Sequence, residues 1–290
     1  MKPESLESHE EVYFRHGSKN PHENKIPMLR FPNFKLFAFL WFAMPMDAIT
    51  QPAIVAHRGF SSKAPENTLV AFERAIAIGA DYFELDVMAS KDGVPMVIHD
   101  ETIDRTCSDA RSGKVNTFDA HELSKIYAGH PSKFGLEFRD EAIPTLDQAL
   151  KLAKGRIKVC VEIKAPGIEE AILSVISKND MNKDVIIFSF EETILQRVHQ
   201  LDPDLPLLFL KEKCEIKDLD TAQSLHAQHI GIGRATELTD EFMQAVQERS
   251  LGVWQWTIND PLEMTRLLGL PLQGIITDCP DLASELLEKR

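Results

Sequence analysis

The sequence predicts an α/β fold: a (β/α)8 TIM barrel with an extra hairpin strand and a small insertion after its second strand. Two observations carry the barrel prediction. Eight short apolar runs alternate with helical patterns after residue 53, an order typical of a parallel sheet with crossover helices. About 250 residues is also the usual size of a closed eight-stranded barrel. Residues 53–290 approach that length without a linker or repeat, so we predict one barrel domain there.

The predicted strands are short and rich in β-branched and aliphatic residues. They cover residues 53–57, 82–87, 157–163, 185–190, 205–210, 229–233, 252–258 and 274–278. Helices are predicted between them over residues 68–78, 145–153, 168–177, 191–201, 219–227, 240–250 and 261–268. The first helix has clear boundary signals, because Pro65-Glu66-Asn67 precedes it and Gly79 follows it.

One further apolar run, residues 95–99, does not fit the alternation. Only a few residues separate it from the second strand, so there is no room for a crossover helix. Asp92-Gly93 is a strong hairpin signal, and a two-residue turn there would place His99 opposite Asp86 on the second strand. We expect residues 101–143 to form an insertion on the face that holds the active site.

Composition restricts the class of partner. The 290 residues carry 32 basic and 45 acidic side chains, a net charge of −13, which argues against nucleic-acid binding. An anionic substrate remains compatible, because a local cation overrides the global field. The four cysteines form no C-x-x-C pair, so no disulfide scaffold is indicated.

The first fifty residues differ from the rest. Residues 1–27 are polar without periodicity and are predicted to be disordered. Residues 28–50 resemble a signal peptide, whose apolar stretch 36–44 is too short to span a bilayer. A signal requires Met28 as the start and predicts an exported or periplasmic protein, whereas a start at Met46 predicts a cytoplasmic one. The alternative is an amphipathic segment packed under the barrel. Any membrane association would use only residues 36–44.

Charged side chains collect at the predicted carboxyl ends of the first three strands, where enzymes of this fold keep their chemistry. They are His57, Arg58, Glu84, Asp86, Glu162 and Lys164, with His99 supplied by the hairpin. Three carboxylates in one place repel one another unless a cation lies among them, and oxygen ligands suit Mg²⁺ or Ca²⁺. The alternative is a solvated salt-bridge cluster with Arg58 and Lys164.

This set of side chains suits phosphoryl chemistry. A hard cation and two basic groups bind a phosphate and stabilise charge on its oxygens. His57 and His99 can move protons near neutral pH, one as base and one as acid. We expect Gly59 to allow a close approach of backbone to the phosphate beside Arg58.

Sequence segments around these residues match a known family in order. They are VAHRG, APENT, FELDV, KDGVPMVIHDETIDRT, IPTLDQAL, VCVEIK, FSF, WTIN and GIITDCPD. The chain thus resembles the glycerophosphodiester phosphodiesterases of the phosphatidylinositol-specific phospholipase C-like superfamily. The resemblance implies hydrolysis of deacylated phospholipids to sn-glycerol 3-phosphate and an alcohol, in some relatives through a cyclic phosphate.

The resemblance also implies a role for each candidate residue. It makes His57 and His99 the acid/base pair and Arg58 and Lys164 the phosphate contacts. It makes one divalent cation, Mg²⁺ or Ca²⁺, the cofactor. Its ligands would be Glu84, Asp86 and Glu162.

Two tryptophans bear on substrate binding. Trp256, at a strand end, is interpreted either as a wall of the glycerol pocket or as a core residue. Trp254 shares its face by parity and departs from the family pattern, so the resemblance does not predict how the alcohol side of the pocket is built.

Two other functions compete with hydrolysis of a small glycerophosphodiester. A lysophospholipase D acting on larger lipids would use the same cluster and an exposed apolar rim, for which residues 36–44 are the candidate. A non-catalytic barrel that binds phosphate esters would not need both histidines with all three carboxylates. The sequence does not specify the alcohol group or the oligomeric state.

Overall fold

The computed structural model describes residues 51–107 and 111–289. The polar segment and the signal-like stretch predicted within residues 1–50 lie outside this part. Its sheet has nine strands. They are β1 Ala53–Ala56, β2 Tyr82–Ala89, β3 Pro95–Val97, β4 Lys158–Ile163, β5 Val185–Ser189, β6 Leu207–Lys211, β7 His229–Gly233, β8 Gly252–Trp256 and β9 Gly274–Thr277.

Eight of these strands form a closed parallel barrel, as the sequence predicts. Each strand pairs in parallel with its neighbour in the order β1, β9, β8, β7, β6, β5, β4 and β2, and β1 also pairs with β2. Closure rests on Val55, which is opposite Tyr82 on one side and Ile276 on the other. Strand β3 lies outside the ring and pairs antiparallel with β2.

In the described residues, helices accompany the barrel strands, and each of the seven predicted ranges overlaps one of them. They are α1 Leu69–Ala77, α2 Ala120–Leu123, α3 Pro131–Phe134, α4 Leu146–Ala153, α5 Glu169–Lys178, α6 Glu192–Leu201, α7 Ile216–Ser224, α8 Asp240–Glu248, α9 Pro261–Leu267 and α10 Pro280–Glu288. Several begin with a side-chain cap, as at Thr68, whose hydroxyl accepts from the amide of Ala71. Within the described residues, none of these helices has the length and apolar character needed to cross a membrane.

The register of the β2–β3 hairpin differs from the predicted one by one residue. The amide of Ile98 donates to the carbonyl of Asp86 at 3.0 Å, and Val87 faces Val97. Asp86 therefore lies opposite Ile98, and the prediction that His99 would be its direct cross-strand partner is wrong.

The turn explains this shift. The amide of Ser90 donates to the carbonyl of Val94 at 3.0 Å, so the loop contains three residues, 91–93, instead of two. Gly93 has φ of 78°, the left-handed conformation that closes a three-residue hairpin loop. The sequence signal identified the hairpin correctly but not the length of its loop.

Apolar residues form two layers. The larger layer lies between the barrel and its helices. The smaller one fills the barrel interior and comprises Val55, Cys160, Ile186, Phe188, Leu208, Leu210, Trp254 and Ile276. The ring of Trp254 packs edge-on against Tyr82 at 5.4 Å and Phe188 at 5.9 Å. Trp254 is therefore a core residue inside the barrel.

The chain between β3 and α4 holds α2, α3 and a small apolar cluster of its own. This cluster comprises Met96, Ile98, Ile103, Val115, Leu123, Ile126, Ala128 and Ile143. Because Met96 belongs to β3, the cluster anchors this segment to the hairpin. The hairpin in turn holds His99.

Candidate active site

The three predicted carboxylates converge at the carboxyl ends of β2 and β4. Asp86 is directly opposite Glu162 in the parallel register, and Glu84 shares the face of Asp86 because it is two residues earlier. One oxygen from each carboxylate lies within 4.8 Å of the others. Register and alternation alone therefore produce this cluster.

These carboxylates fit a divalent cation. Glu84 Oε1 and Asp86 Oδ1 are buried and, among the described residues, accept no hydrogen bond. Buried anionic oxygens without partners are costly, whereas Mg²⁺ and Ca²⁺ prefer such ligands. Burial and then the charges of Asp86 and Glu162 raise the pKa of Glu84 well above its usual value. Burial, followed by the charge of Asp86, raises the pKa of Glu162 to about 7.

Two basic side chains lie against the same carboxylates. Lys164 Nζ is 2.7 Å from Glu162 Oε1 and 3.6 Å from Asp86 Oδ1, while Arg58 Nε is 3.3 Å from Asp86 Oδ2. Burial alone would raise the pKa of Asp86, but Arg58, His99 and Lys164 outweigh it and lower that pKa. The salt bridges of the alternative interpretation are present but mostly buried, and three carboxylates still face two cations.

Gly59 has a packing role in addition to the expected one. Its φ is 79°, and a Cβ there would lie 2.7 Å from the Cβ and carbonyl carbon of Ala71. The glycine therefore permits close packing of the β1–α1 loop against α1, and its role in ligand approach stays a prediction. This packing places the amide of Arg58 2.9 Å from Glu84 Oε2, to which it donates.

His57 is held by a carboxylate from the neighbouring strand end. Its Nδ1 lies 2.7 Å from Asp278 Oδ1, and Asp278 also accepts from Ser61 Oγ at 2.9 Å and Asn259 Nδ2 at 2.7 Å. Burial alone would raise the pKa of Asp278, but hydrogen bonds from His57, Asn259 and Ser61 hold it well below its usual range. With Nδ1 engaged, Nε2 of His57 is the ring atom available for proton transfer.

His99 has a similar partner in a different setting. Its Nδ1 lies 2.6 Å from Asp100 Oδ1, and Arg105 binds the same carboxylate. Burial is the largest cause of the lowered pKa of His99, and Arg58 and Lys164 lower it further, with partial offsets from the charge of Asp86 and the hydrogen bond to Asp100. The neutral ring is thereby favoured.

One pocket of about 210 Å³ connects these groups. Its polar side is formed by His57, Arg58, Glu84, His99, Glu162 and Lys164. Trp256 and Phe190 also line it, the Phe190 ring meeting the indole edge-on at 5.6 Å and lying 5.9 Å from Lys164 Nζ. Every residue predicted for the site lines this pocket except Asp86, which is buried beside it.

Sequence reasoning missed several residues that hold the site in place. Asp278 follows an apolar strand just as His57 does, so its position at a barrel strand end was a usable signal. Asn67 donates to Asp86 Oδ2 at 2.8 Å and accepts from the Asp86 amide at 3.1 Å. Glu66, Asp100 and Arg105 lie in loops, where no periodicity reports which side chains meet.

The barrel and this pocket define a phosphodiester hydrolase of the TIM-barrel class. Residues 57–282 match the sequence profile of the Glycerophosphoryl diester phosphodiesterase family. The chain belongs to this family, which confirms the resemblance inferred from the sequence motifs.

Individual relatives agree with this assignment. A glycerophosphodiester phosphodiesterase of Caldanaerobacter subterraneus is 36% identical over 247 residues, which cover 81% of this chain and 98% of the relative. The crystal structure of an Agrobacterium tumefaciens glycerophosphodiester phosphodiesterase superposes with a TM-score of 0.72 at 29% identity, covering 81% of this chain and 99% of that one. The structure of an Oleispira antarctica phosphodiesterase in complex with the product sn-glycerol-3-phosphate superposes with a TM-score of 0.73 at 26% identity, covering 82% of this chain and 97% of that one.

Proposed function

We propose that this protein hydrolyses small glycerophosphodiesters to sn-glycerol 3-phosphate and an alcohol, using one divalent cation and the two histidines. The observation that carries the proposal is the shared pocket. Three carboxylates with ligand atoms within 4.8 Å of one another adjoin a pocket lined by two basic groups and two histidines. The product bound to the Oleispira antarctica phosphodiesterase supports the choice of substrate.

The phosphodiester anion would bind between Arg58 and Lys164. Both line the pocket, and both are mostly buried, so their charges act on a ligand with little screening by solvent. Glu84, Asp86 and Glu162 would hold the cation. When bound, a divalent cation polarises a phosphoryl oxygen and stabilises the charge that develops there.

The two histidines would divide the proton transfers. One accepts the proton of the attacking hydroxyl as the new P–O bond forms, and the other donates a proton to the alcohol oxygen as the old P–O bond breaks. Asp278 and Asp100 hold the two rings through Nδ1, which leaves Nε2 of each for this work. The attacking hydroxyl belongs to water or, in a cyclising route, to the glycerol.

The aromatic side of the pocket would receive the uncharged part of the substrate. Trp256 and Phe190 present an apolar surface in the same pocket as the charged groups. A volume of about 210 Å³ suits a small molecule, since pockets for drug-sized ligands measure about 300–1,000 Å³. Trp254 is excluded from this role because it belongs to the barrel core.

The experiment compares glycerophosphocholine with an intact choline-bearing lysolipid. Release of sn-glycerol 3-phosphate from glycerophosphocholine is expected, and it should be lost in a His57→Ala variant. Choline release from the lysolipid alone would instead indicate a lysophospholipase D. Saturable binding of both compounds without turnover, in the presence of Mg²⁺ or Ca²⁺, would indicate a binding protein.

A further inference from the structure

Arg105 binds two carboxylates at once at the edge of the active site. Its Nε and Nη2 donate to Asp100 at 2.7 and 3.0 Å. Its Nη1 and Nη2 donate to Glu66 at 2.8 and 2.7 Å. Glu66 belongs to the β1–α1 loop and Asp100 follows β3, so one guanidinium ties together two loops that arise from different strands.

Each of these carboxylates also binds a residue of the pocket. Asp100 holds Nδ1 of His99 at 2.6 Å, and Glu66 accepts from Nη1 of Arg58 at 2.8 Å. A continuous chain of charged contacts therefore runs from His99 through Asp100, Arg105 and Glu66 to Arg58. Its two ends are the proposed proton-transfer group and the proposed phosphate contact.

We infer that Arg105 is a positioning residue of this enzyme, which orients His99 through Asp100 and Arg58 through Glu66. The inference rests on the proposed function of those two end residues. Arg105 itself does not line the substrate pocket, so its effect on turnover passes through its two carboxylate partners.

The chemistry of the guanidinium group supports this role. A planar guanidinium offers its donors in a fixed geometry, so binding two carboxylates in the bidentate manner sets their relative position. A lysine ammonium cannot reproduce this geometry. Burial would raise the pKa of Glu66, but its contacts with Arg105 and Arg58 lower it to about 2, so Glu66 remains an anion in the chain.

Charge balance explains why Arg58 depends on Arg105. Without Arg105, the carboxylates of Asp100 and Glu66 are left with no shared cation. Glu66 then bonds more strongly to Arg58 and competes with the substrate phosphate for it. Asp100 loses the contacts that fix its orientation, and the ring of His99 loses its support.

A surface salt bridge of stability alone would behave differently. Arg105 is 42% exposed, and ion pairs at such positions contribute little to folding. Arg156 provides a matched control, since it is 41% exposed and binds Glu73 through both Nη atoms at 2.8 and 2.6 Å on the outside of the barrel. The two arginines differ in their link to the site.

The first test compares Arg105→Ala with Arg156→Ala on glycerophosphocholine. Arg105→Ala should lower kcat/KM by about 10²-fold, the usual cost of a misplaced reacting group, through both a lower kcat and a higher KM. Arg156→Ala should leave both constants unchanged. Equal kinetics in the two variants would overturn the inference.

The second test separates the two branches of the chain. Asp100→Asn should mainly lower kcat, and Glu66→Gln should mainly raise KM. Adding Arg105→Ala to Asp100→Asn should then raise KM with little further loss of kcat. Guanidinium ion in the assay should partly restore the activity of Arg105→Ala. The Arg105→Lys variant should be less active than the wild-type protein. Fully additive losses of kcat in the Arg105→Ala and Asp100→Asn double variant would contradict a chain of contacts from Arg105 through Asp100 to His99.

Two readouts do not depend on turnover. The affinity for inorganic phosphate, measured by calorimetry, should fall in Arg105→Ala and stay constant in Arg156→Ala. The NMR signal of the His99 Nδ1 proton should shift in Arg105→Ala alone. If the wild-type protein fails to hydrolyse any glycerophosphodiester, the proposed function is wrong, and these two measurements still decide the role of Arg105. Unchanged phosphate affinity together with an unchanged His99 signal would overturn the inference.

Discussion

Each histidine of the pocket is held through Nδ1 by an aspartate, but the two aspartates belong to different parts of the fold. His57 follows β1, and its partner Asp278 follows β9, whose Thr277 lies opposite Ala56 in the barrel register. His99 follows the outer strand β3, and its partner is the adjacent Asp100. The barrel ladder thus fixes one histidine, while a loop and its salt bridges fix the other.

The charges behind the two histidines differ as well. Among the described residues, the donors to the Asp278 carboxylate besides His57 are the neutral side chains of Ser61 and Asn259. Asp100 receives the charged guanidinium of Arg105. Because exposed ion pairs are screened by salt, the His99 side of the pocket should respond to ionic strength and loop substitutions more than the His57 side.

The largest effect is expected from removal of the proposed divalent cation. Chelation by EDTA should abolish turnover, and Mg²⁺ or Ca²⁺ should restore it, because three carboxylates converge beside Arg58 and Lys164, whose two positive charges do not balance them. Glu162→Gln should weaken metal binding, measured by calorimetry, while the circular dichroism of the barrel stays unchanged. Full turnover by a metal-stripped sample would contradict the cation site.

The next largest effect comes from each histidine alone. His57→Ala and His99→Ala should each lower kcat by about 10²–10⁴-fold, the range for a positioned proton-transfer group. The double variant should lose less than the product of the two single losses, because residues that act together are not additive. Steady-state kinetics with glycerophosphocholine measures this, and near-normal kcat in both variants would refute the mechanism.

A smaller effect separates the two supporting carboxylates. Asp278→Asn should lower kcat by about 10²-fold by disturbing the orientation of His57. Unlike Arg105→Ala, it should not respond to added guanidinium ion. Raising the salt concentration should lower kcat more in Asp278→Asn than in Asp100→Asn. In Asp278→Asn the ion pair that supports His99 is intact and can still be weakened by salt, whereas in Asp100→Asn that support is already lost. The reverse order would show that the difference between the two histidines is misassigned.

The smallest effect is on stability, and it comes from two carboxylates, Glu162 and Glu66, whose pKa values are shifted in opposite directions. The pKa of Glu162 is raised from 4.5 to about 7, so its contribution is fully present below pH 4.5 and is lost as the pH rises toward 7. The pKa of Glu66 is lowered from 4.5 to about 2, so its contribution to the free energy of unfolding is present above pH 4.5 and is lost only as the pH falls toward 2. The two windows are therefore separate.

Thermal unfolding across both windows tests this prediction. The metal-free protein should lose stability between pH 4.5 and 7, and saturating Mg²⁺ or Ca²⁺ should reduce that loss, since a cation binds the ionised carboxylate. A Glu162→Gln variant is the control and should lack the Glu162 contribution. A melting profile that is the same with and without metal would argue against Glu162 as a ligand.

Sequence reasoning reached the barrel because its signals are periodic. Alternation along β2 and β4 put Glu84, Asp86 and Glu162 on one face, and their register followed from the parallel order. The same reasoning misplaced His99 by one position, because hairpin loop length depends on the backbone conformation of Gly93. Arg105 and Asp100 escaped prediction because loops bring side chains together without a repeating pattern.

The central claim is that His57 and His99 act on opposite sides of one phosphate, one as base and one as acid. The most direct measurement compares His57→Ala and His99→Ala on a substrate with a p-nitrophenyl leaving group, which needs no protonation. The account predicts that this substrate restores kcat in one variant, which then identifies the acid, and leaves the other impaired. Restoration of both variants, or of neither, would contradict it.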